Sequence, residues 1–108
     1  MEKLYCRIRE NSWVARLAAL KMGSSAIAIV FGRVIHLHGV SRETFLANTR
    51  WVRHEVRHVR QYRQHGFFPF LWRYVNDWVR FGYYNSPFEK DARQAEHNAT
   101  ELDGVEIA

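Results

Sequence analysis

The sequence is poor in cysteine and proline, and it lacks a long hydrophobic run. Its single cysteine, Cys6, cannot form a disulfide within the chain, so we expect a reducing compartment. The longest uninterrupted apolar segment, residues 26–31, is far shorter than the roughly 20 residues that a membrane-spanning helix needs. Arg16 and Lys21 interrupt the only segment that could form the apolar core of a signal peptide. These absences favour a cytoplasmic protein without a membrane span.

Acidic residues are also under-represented. The chain has 16 Lys and Arg against 11 Asp and Glu, which gives a formal net charge of +5 and a pI of about 9.8. A basic chain raises nucleic acid as a partner, particularly because four arginines recur at helical spacing: Arg50, Arg53, Arg57 and Arg60. A charged stripe is more often a solvated helix face, so we rank nucleic-acid binding below the alternatives that follow.

The composition is otherwise that of a globular domain, with 47% hydrophobic and 15% aromatic residues in 108. We expect one domain, residues 1–108, of the α+β class. The predicted order begins with an extended lead-in (1–10), a helix ending near Met22 (12–22) and a β-hairpin (26–38). A short helix (42–47), a long central helix (48–65), an aromatic helix (68–81) and a last helix (86–99) follow. Residues 100–108 are acidic and poor in packing residues, so we expect a mobile tail.

The hairpin has a predicted register. Gly32-Arg33 fits a two-residue turn with glycine first, which would pair Phe31 with Val34 and Ile29 with His36. His36 and His38 would then share one face of the hairpin. A histidine on an apolar strand is more often a core residue than a catalytic group.

The central helix carries the pattern with the clearest chemistry, His54-Glu55-Val56-Arg57-His58. Residues four apart lie on one face of a helix, so both imidazoles can reach one metal ion. Glu55 lies about 100° round the helix, where its carboxylate can reach a water on that metal without binding the ion itself. HExxH is the arrangement with which zinc hydrolases hold the ion and activate water.

A catalytic zinc site needs a third protein ligand. The downstream candidates are Asp77, Glu89, Asp91, Glu96 and His97. Glu89 lies in the first turn of the last predicted helix, which a preceding loop could place across the cleft. Ser86-x-x-Glu89 is also a capping box, in which Glu89 would bond to the backbone of Ser86 instead.

The run HEVRHVRQYRQHG, followed by an aromatic helix and YYNSPFEKDARQAE, resembles the zincin metallopeptidases of the gluzincin kind. The similarity is greatest to small bacterial peptidase-like domains with HExxHxxQ and a downstream Pro-x-Glu-x-(Glu/Asp)-Ala. It covers about residues 12 to 97 and implies a minimal zincin-like fold. It also implies Zn²⁺ as cofactor, with His54, His58 and Glu89 as ligands and Glu55 as general base.

The chain departs from the gluzincin pattern at one position. Larger gluzincins place an aspartate four residues after the ligand glutamate to orient a histidine, and this chain has Arg93 there. Asp91 is the nearest substitute. A peptidase also needs an oxyanion donor, for which the candidates are Tyr83, Tyr84 and His36, with His38 beside them. For the tyrosines, aromatic packing with a wet hydroxyl is the simpler interpretation.

The expected function is therefore zinc-dependent hydrolysis of peptide bonds in a peptide or protein substrate. One alternative is a catalytically inactive zincin-like binding or scaffold module, because larger zincins add a second domain that builds the far wall of the cleft. The aromatic stretch from Phe67 to Tyr84 could expose a surface for a homodimer or another protein partner.

Overall fold

A computed structural model describes residues 3–108 of the chain. The elements in order are β1 (Leu4–Arg9), α1 (Trp13–Met22), β2 (Ile27–Phe31), β3 (Val34–His38), α2 (Arg42–Ala47), α3 (Thr49–His65), α4 (Phe67–Phe81), α5 (Pro87–Ala95) and β4 (Val105–Ile107). The described residues thus form helices and one mixed sheet, which confirms the predicted α+β class.

The four strands lie in the order β2-β3-β1-β4. Strands β2 and β3 form the predicted antiparallel hairpin, with Phe31 opposite Val34, Ile29 opposite His36 and Ile27 opposite His38. Gly32 has the positive φ of +65° that the first position of the Gly-X turn requires. Among residues 3–108, β2 pairs only with β3, so its other side is a free edge of the sheet.

Both ends of the chain differ from the prediction. Within the expected lead-in 1–10, residues 1 and 2 lie outside the described part, but Leu4–Arg9 form an inner strand parallel to both β3 and β4. The expected tail contributes β4, in which Val105 pairs with Leu4 and Ile107 with Cys6. Parallel pairing between the two ends of a chain has no local sequence signal, so periodicity could not reveal it.

The core lies between the sheet and α3. Val52, Val56 and Val59 of α3 share one buried cluster with the sheet residues Ile35 and Leu37. Helix α1 packs on the hairpin, and α4 and α5 pack on α3. The sheet therefore supports α3 from below, and the face of α3 that bears His54 is covered by α5.

The helix ends follow the predicted signals with two exceptions. Ser12 caps α1, Asn48 caps α3, and Gly23 ends α1 in the left-handed region. Helix α4 begins at Phe67, because Pro69 lies in its first turn, where a backbone N–H is not needed. Helix α5 ends at Ala95, one turn before the expected Ala99. Among the described residues, none of the helices combines the length and the apolar character needed to cross a membrane.

Candidate metal centre

Helix α3 brings the HExxH side chains together in the interior. His54, Glu55 and His58 are 8%, 5% and 4% exposed, so the motif is not a pair of solvated histidines on a surface helix. The imidazole centroids of His54 and His58 lie 5.1 Å apart, as one helical turn requires. The spacing therefore places two histidine nitrogens on one side of a buried helix face.

Helix α5 supplies the third group, as predicted. Glu89 Oε1 lies 3.0 Å from His54 Nε2, and Glu89 Oε2 lies 2.9 Å from His58 Nε2. One donor atom from each residue falls within 4.8 Å of the other two, so these three residues could hold a metal ion. Two imidazoles and a carboxylate are the donor set of many catalytic zinc sites, so the residues fit that ion.

The capping-box alternative for Glu89 does not form. Ser86 makes no side-chain capping bond, and its buried Oγ has no hydrogen-bond partner among the described residues. Glu89 is 1% exposed and points at the histidines instead of its own helix terminus. Its position in the first turn of α5 also favours a negative charge.

The outer nitrogens of both histidines have acceptors. His54 Nδ1 lies 2.8 Å from Glu96 Oε2, and His58 Nδ1 lies 2.8 Å from Gln61 Oε1. The Gln61 amide nitrogen donates to the Phe88 carbonyl and to Asp91 Oδ2, at 3.1 and 2.9 Å, so its oxygen must accept from His58. These bonds keep the proton on Nδ1 and turn both Nε2 atoms towards Glu89, as a metal site requires.

The electrostatics of the group follow from burial and proximity. Burial lowers the pKa of His54, but its hydrogen bond to Glu89 and the charges of Glu55 and Glu89 outweigh this and raise the pKa to about 9. Burial likewise opposes the charged form of His58, and Glu89 again raises its pKa above the usual value. Burial would raise the pKa of Glu89, but hydrogen bonds from both histidines hold it below the usual range. The cluster thus already stabilises positive charge beside Glu89.

Glu55 has a different environment. Burial raises the pKa of its carboxyl group to about 7, although the neighbouring histidines lower it. Glu55 lines an open cleft of about 440 Å³ and also an apolar cavity of about 110 Å³ that extends below α4. A carboxylate with a pKa near neutrality at the junction of two cavities suits a group that exchanges protons.

Two tyrosines border the same place. The Tyr74 hydroxyl of α4 donates to Glu89 Oε2, and burial beside that carboxylate raises the pKa of Tyr74. Tyr83 lines both cavities with Glu55, and burial raises its pKa too. Tyr83 was a predicted site residue, whereas Tyr74 and the orienting role of Glu96 were not predicted, and Gln61, the last residue of the HExxHxxQ pattern, was given no role.

The other predicted site residues lie further out. Asp91 contacts Gln61 and reaches His58 only through it, so it is not a direct orienting carboxylate. Tyr84 is 69% exposed and stacks under the Arg93 guanidinium. His36 bonds Ser12 at the start of α1, on the sheet face opposite that of its core neighbours Ile35 and Leu37. Neither Tyr84 nor His36 reaches the cluster.

The arginine stripe of α3 is engaged within the chain. Arg57 and Arg60 lie 2.6 and 3.2 Å from the carboxylate of Glu101, which is 2% exposed. Arg50 pairs with Glu96, and Arg53 donates to the backbone carbonyl of the same residue. The stripe thus fastens the C-terminal segment to α3.

Comparisons of this chain with protein-family models, with curated proteins and with solved structures gave no match. The function must therefore be argued from the residues of the site and their geometry.

Proposed function

We propose that the protein is a zinc-dependent metallopeptidase of the gluzincin kind, in which His54, His58 and Glu89 hold the ion. The observation that carries this proposal is the shared orientation of the two histidines. Both Nε2 atoms converge on one buried carboxylate while both Nδ1 atoms are held by acceptors. A bound zinc would lower the pKa of a coordinated water and polarise the substrate carbonyl.

Glu55 is the proposed general base. Glu55 is the only acidic residue of α3 and lines the cleft, and the two histidine Nε2 atoms are in contact with Glu89 instead. The Glu55 carboxylate can accept a proton from water and later donate it to the leaving amine. Burial raises the pKa of Glu55 in the metal-free protein, and the charge of a bound zinc would lower it again, which favours the carboxylate form that a base requires.

The free edge of β2 is the proposed guide for the substrate backbone. Ala26, Ile27 and Ala28 line the open cleft together with His54 and Glu55. An extended peptide can pair with a free strand edge through main-chain hydrogen bonds, which would draw its backbone past Glu55. Tyr83 also lines this cleft, and we assign its hydroxyl as the donor to the developing oxyanion.

The test is Glu55→Gln beside Glu10→Gln, an exposed glutamate far from the site in sequence. The amide keeps the size of the side chain but cannot accept the proton. We expect Glu55→Gln to retain zinc and to lower the rate of peptide-library cleavage by at least ~100-fold, since a general base contributes roughly that much or more. Full activity in Glu55→Gln would contradict the mechanism.

A zincin-like binding module without turnover is the second candidate, and it shares the metal ligands. The cleft is open to solvent, whereas larger zincins close it with a second domain. This candidate predicts zinc binding that depends on His54 and Glu89, with no cleavage by the wild-type protein in any peptide library. Nucleic-acid binding is disfavoured by the contacts of the α3 arginines with Glu96 and Glu101.

A further inference from the structure

Helix α4 carries an apolar face that the rest of residues 3–108 leaves uncovered. Phe68, Trp72, Val75 and Val79 follow the spacing of a single helix face, and Phe68, Trp72 and Val79 are 77%, 71% and 81% exposed. Phe70, on the opposite side, is the one fully buried residue among the 15 of this helix. Scattered apolar residues on a surface are ordinary, but a contiguous stripe that includes two aromatic rings indicates a contact surface.

Two arginines without a carboxylate partner flank this stripe. Arg73 and Arg80 lie roughly 110–130° round the helix from its centre, and both are exposed. Arg73 Nη1 lies 3.5 Å from His65 Nδ1, and the Arg80 guanidinium lies over the Phe81 ring, so neither charge is neutralised. Within residues 3–108, no carboxylate comes within ion-pair distance of either guanidinium, in contrast to Arg50, Arg57 and Arg60. Cations that the protein leaves without carboxylate partners, beside an exposed apolar face, are complementary to a surface that is itself apolar and negatively charged.

Helix α1 repeats the arrangement. Trp13, Leu17 and Leu20 are exposed at helical spacing, and α1 contains two cations, Arg16 and Lys21, with no acidic residue. The two helices border one opening, because Ala18 and Met22 of α1 line the same apolar cavity as Leu71 and Val75 of α4. The two helices therefore meet at this opening, and each carries exposed apolar residues and cations.

Two occupants could cover the α4 face, a second copy of the chain or an anionic lipid bilayer. A 15-residue helix is about 22 Å long, so one of its faces offers a few hundred Å² at most, against the roughly 800 Å² per partner of a stable dimer. A second copy would also bring its own Arg73 and Arg80 to the contact, where like charges repel. A bilayer needs no such area, and phosphate and carboxylate headgroups would pair with the arginines.

We propose that α4 lies on the surface of an anionic phospholipid bilayer, with Phe68, Trp72, Val75 and Val79 in the interface and Arg73 and Arg80 against the headgroups. The contact is peripheral and needs no spanning segment. It would hold the mouth of the apolar cavity, and Glu55 beyond it, next to the membrane. This proposal does not depend on the hydrolytic activity, because neither the stripe nor its arginines belong to the metal cluster.

The probe is a vesicle of phosphatidylcholine with or without phosphatidylserine, and the readout is co-sedimentation of the full chain. We expect wild-type protein to bind the vesicles that contain phosphatidylserine and to dissociate as salt is raised. The double variant Trp72→Ser/Val79→Ser should bind at least ~10-fold more weakly, since it removes two inserted apolar side chains. Tyr5→Ser, which alters an exposed aromatic side chain on β1, should bind as wild type.

A second variant tests the charge and guards against a folding artefact. Arg73→Gln/Arg80→Gln should lower binding to phosphatidylserine vesicles by ~10-fold, with circular dichroism unchanged. The proposal is overturned if wild type does not bind, or if both double variants bind as well as wild type. A concentration-dependent dimer that Trp72→Ser/Val79→Ser abolishes, without vesicle binding, would overturn it too and assign the face to a second copy.

Discussion

Gln61 offers a sharp test of how the site is built, because it contacts a proposed ligand without binding the metal itself. Its amide oxygen accepts from His58 Nδ1, and its amide nitrogen donates to the Phe88 carbonyl and to Asp91. Gln61→Leu keeps the approximate volume of this buried side chain and removes all three hydrogen bonds. The His58 proton then loses the acceptor that keeps it on Nδ1, and the ring loses its fixed orientation.

The expected loss can be estimated from these contacts. Removing such an outer partner of a metal-binding histidine typically weakens metal affinity ~10- to 100-fold, or about 1.4 to 2.7 kcal/mol. The metal-free protein should also lose about 1 to 3 kcal/mol of unfolding free energy, since the buried His58 Nδ1 is left without a partner.

The assay is competition with a chromophoric zinc chelator, together with urea unfolding of the metal-free protein. Gln64→Leu is the matched control, because Gln64 lies on the same helix and is exposed. We expect Gln64→Leu to match wild type in both assays. An unchanged zinc dissociation constant in Gln61→Leu would refute the assignment of Gln61 as the residue that orients His58.

Two further predictions concern the ends of the chain. Glu101→Gln should lower the free energy of unfolding, measured in urea, by about 1 to 3 kcal/mol, because it leaves Arg57 and Arg60 without their shared carboxylate. The loss is moderate because solvent partly screens both arginines. Stability equal to that of wild type would show that the arginine contacts do not fasten this segment. Cys6 is 1% exposed, and burial raises its pKa to about 11 despite the nearby charge of Arg60. Its thiol should therefore react with Ellman's reagent at mildly alkaline pH only after denaturant is added. Rapid reaction in the native protein would contradict an inner position for β1.

The parts of the fold that follow from local chemistry were predictable. Helix α3 begins after Asn48 and ends at Gly66 as its capping residues indicate, and the Gly32-Arg33 turn set the hairpin register correctly. The lead-in was predicted as extended, but its place as the inner strand β1 was not, and β4 was missed because a three-residue strand leaves no periodic pattern. The interior position of β1 depends on contacts with strands that are distant in the sequence.

The residues of the candidate site also fall into those that the sequence could predict and those that it could not. His54, Glu55 and His58 follow from the period of one helix, and the resemblance singled out Glu89. Gln61 could have been identified, since it lies three residues after His58 on the same helix face. Tyr74 had no signal, because its contact with Glu89 depends on how α4 crosses α3.

Glu96 was considered as a ligand, yet it bonds the outer nitrogen of His54. It lies two turns after Glu89, on the same side of the last helical segment. The chain therefore holds His54 with a carboxylate seven residues after Glu89, and not four residues after it as the resemblance to gluzincins implies. Arg93 at that fourth position instead stacks on Tyr84.

The most direct measurement is the zinc content of freshly purified protein, before and after incubation with zinc, by elemental analysis. Wild type, Glu89→Ala and the exposed-site control Glu43→Ala should be compared, with circular dichroism to verify that each is folded. The account predicts near one zinc per chain in wild type and in Glu43→Ala, and a sharp fall in Glu89→Ala. Wild type without zinc after incubation, or Glu89→Ala with as much zinc as wild type, would contradict the metal centre.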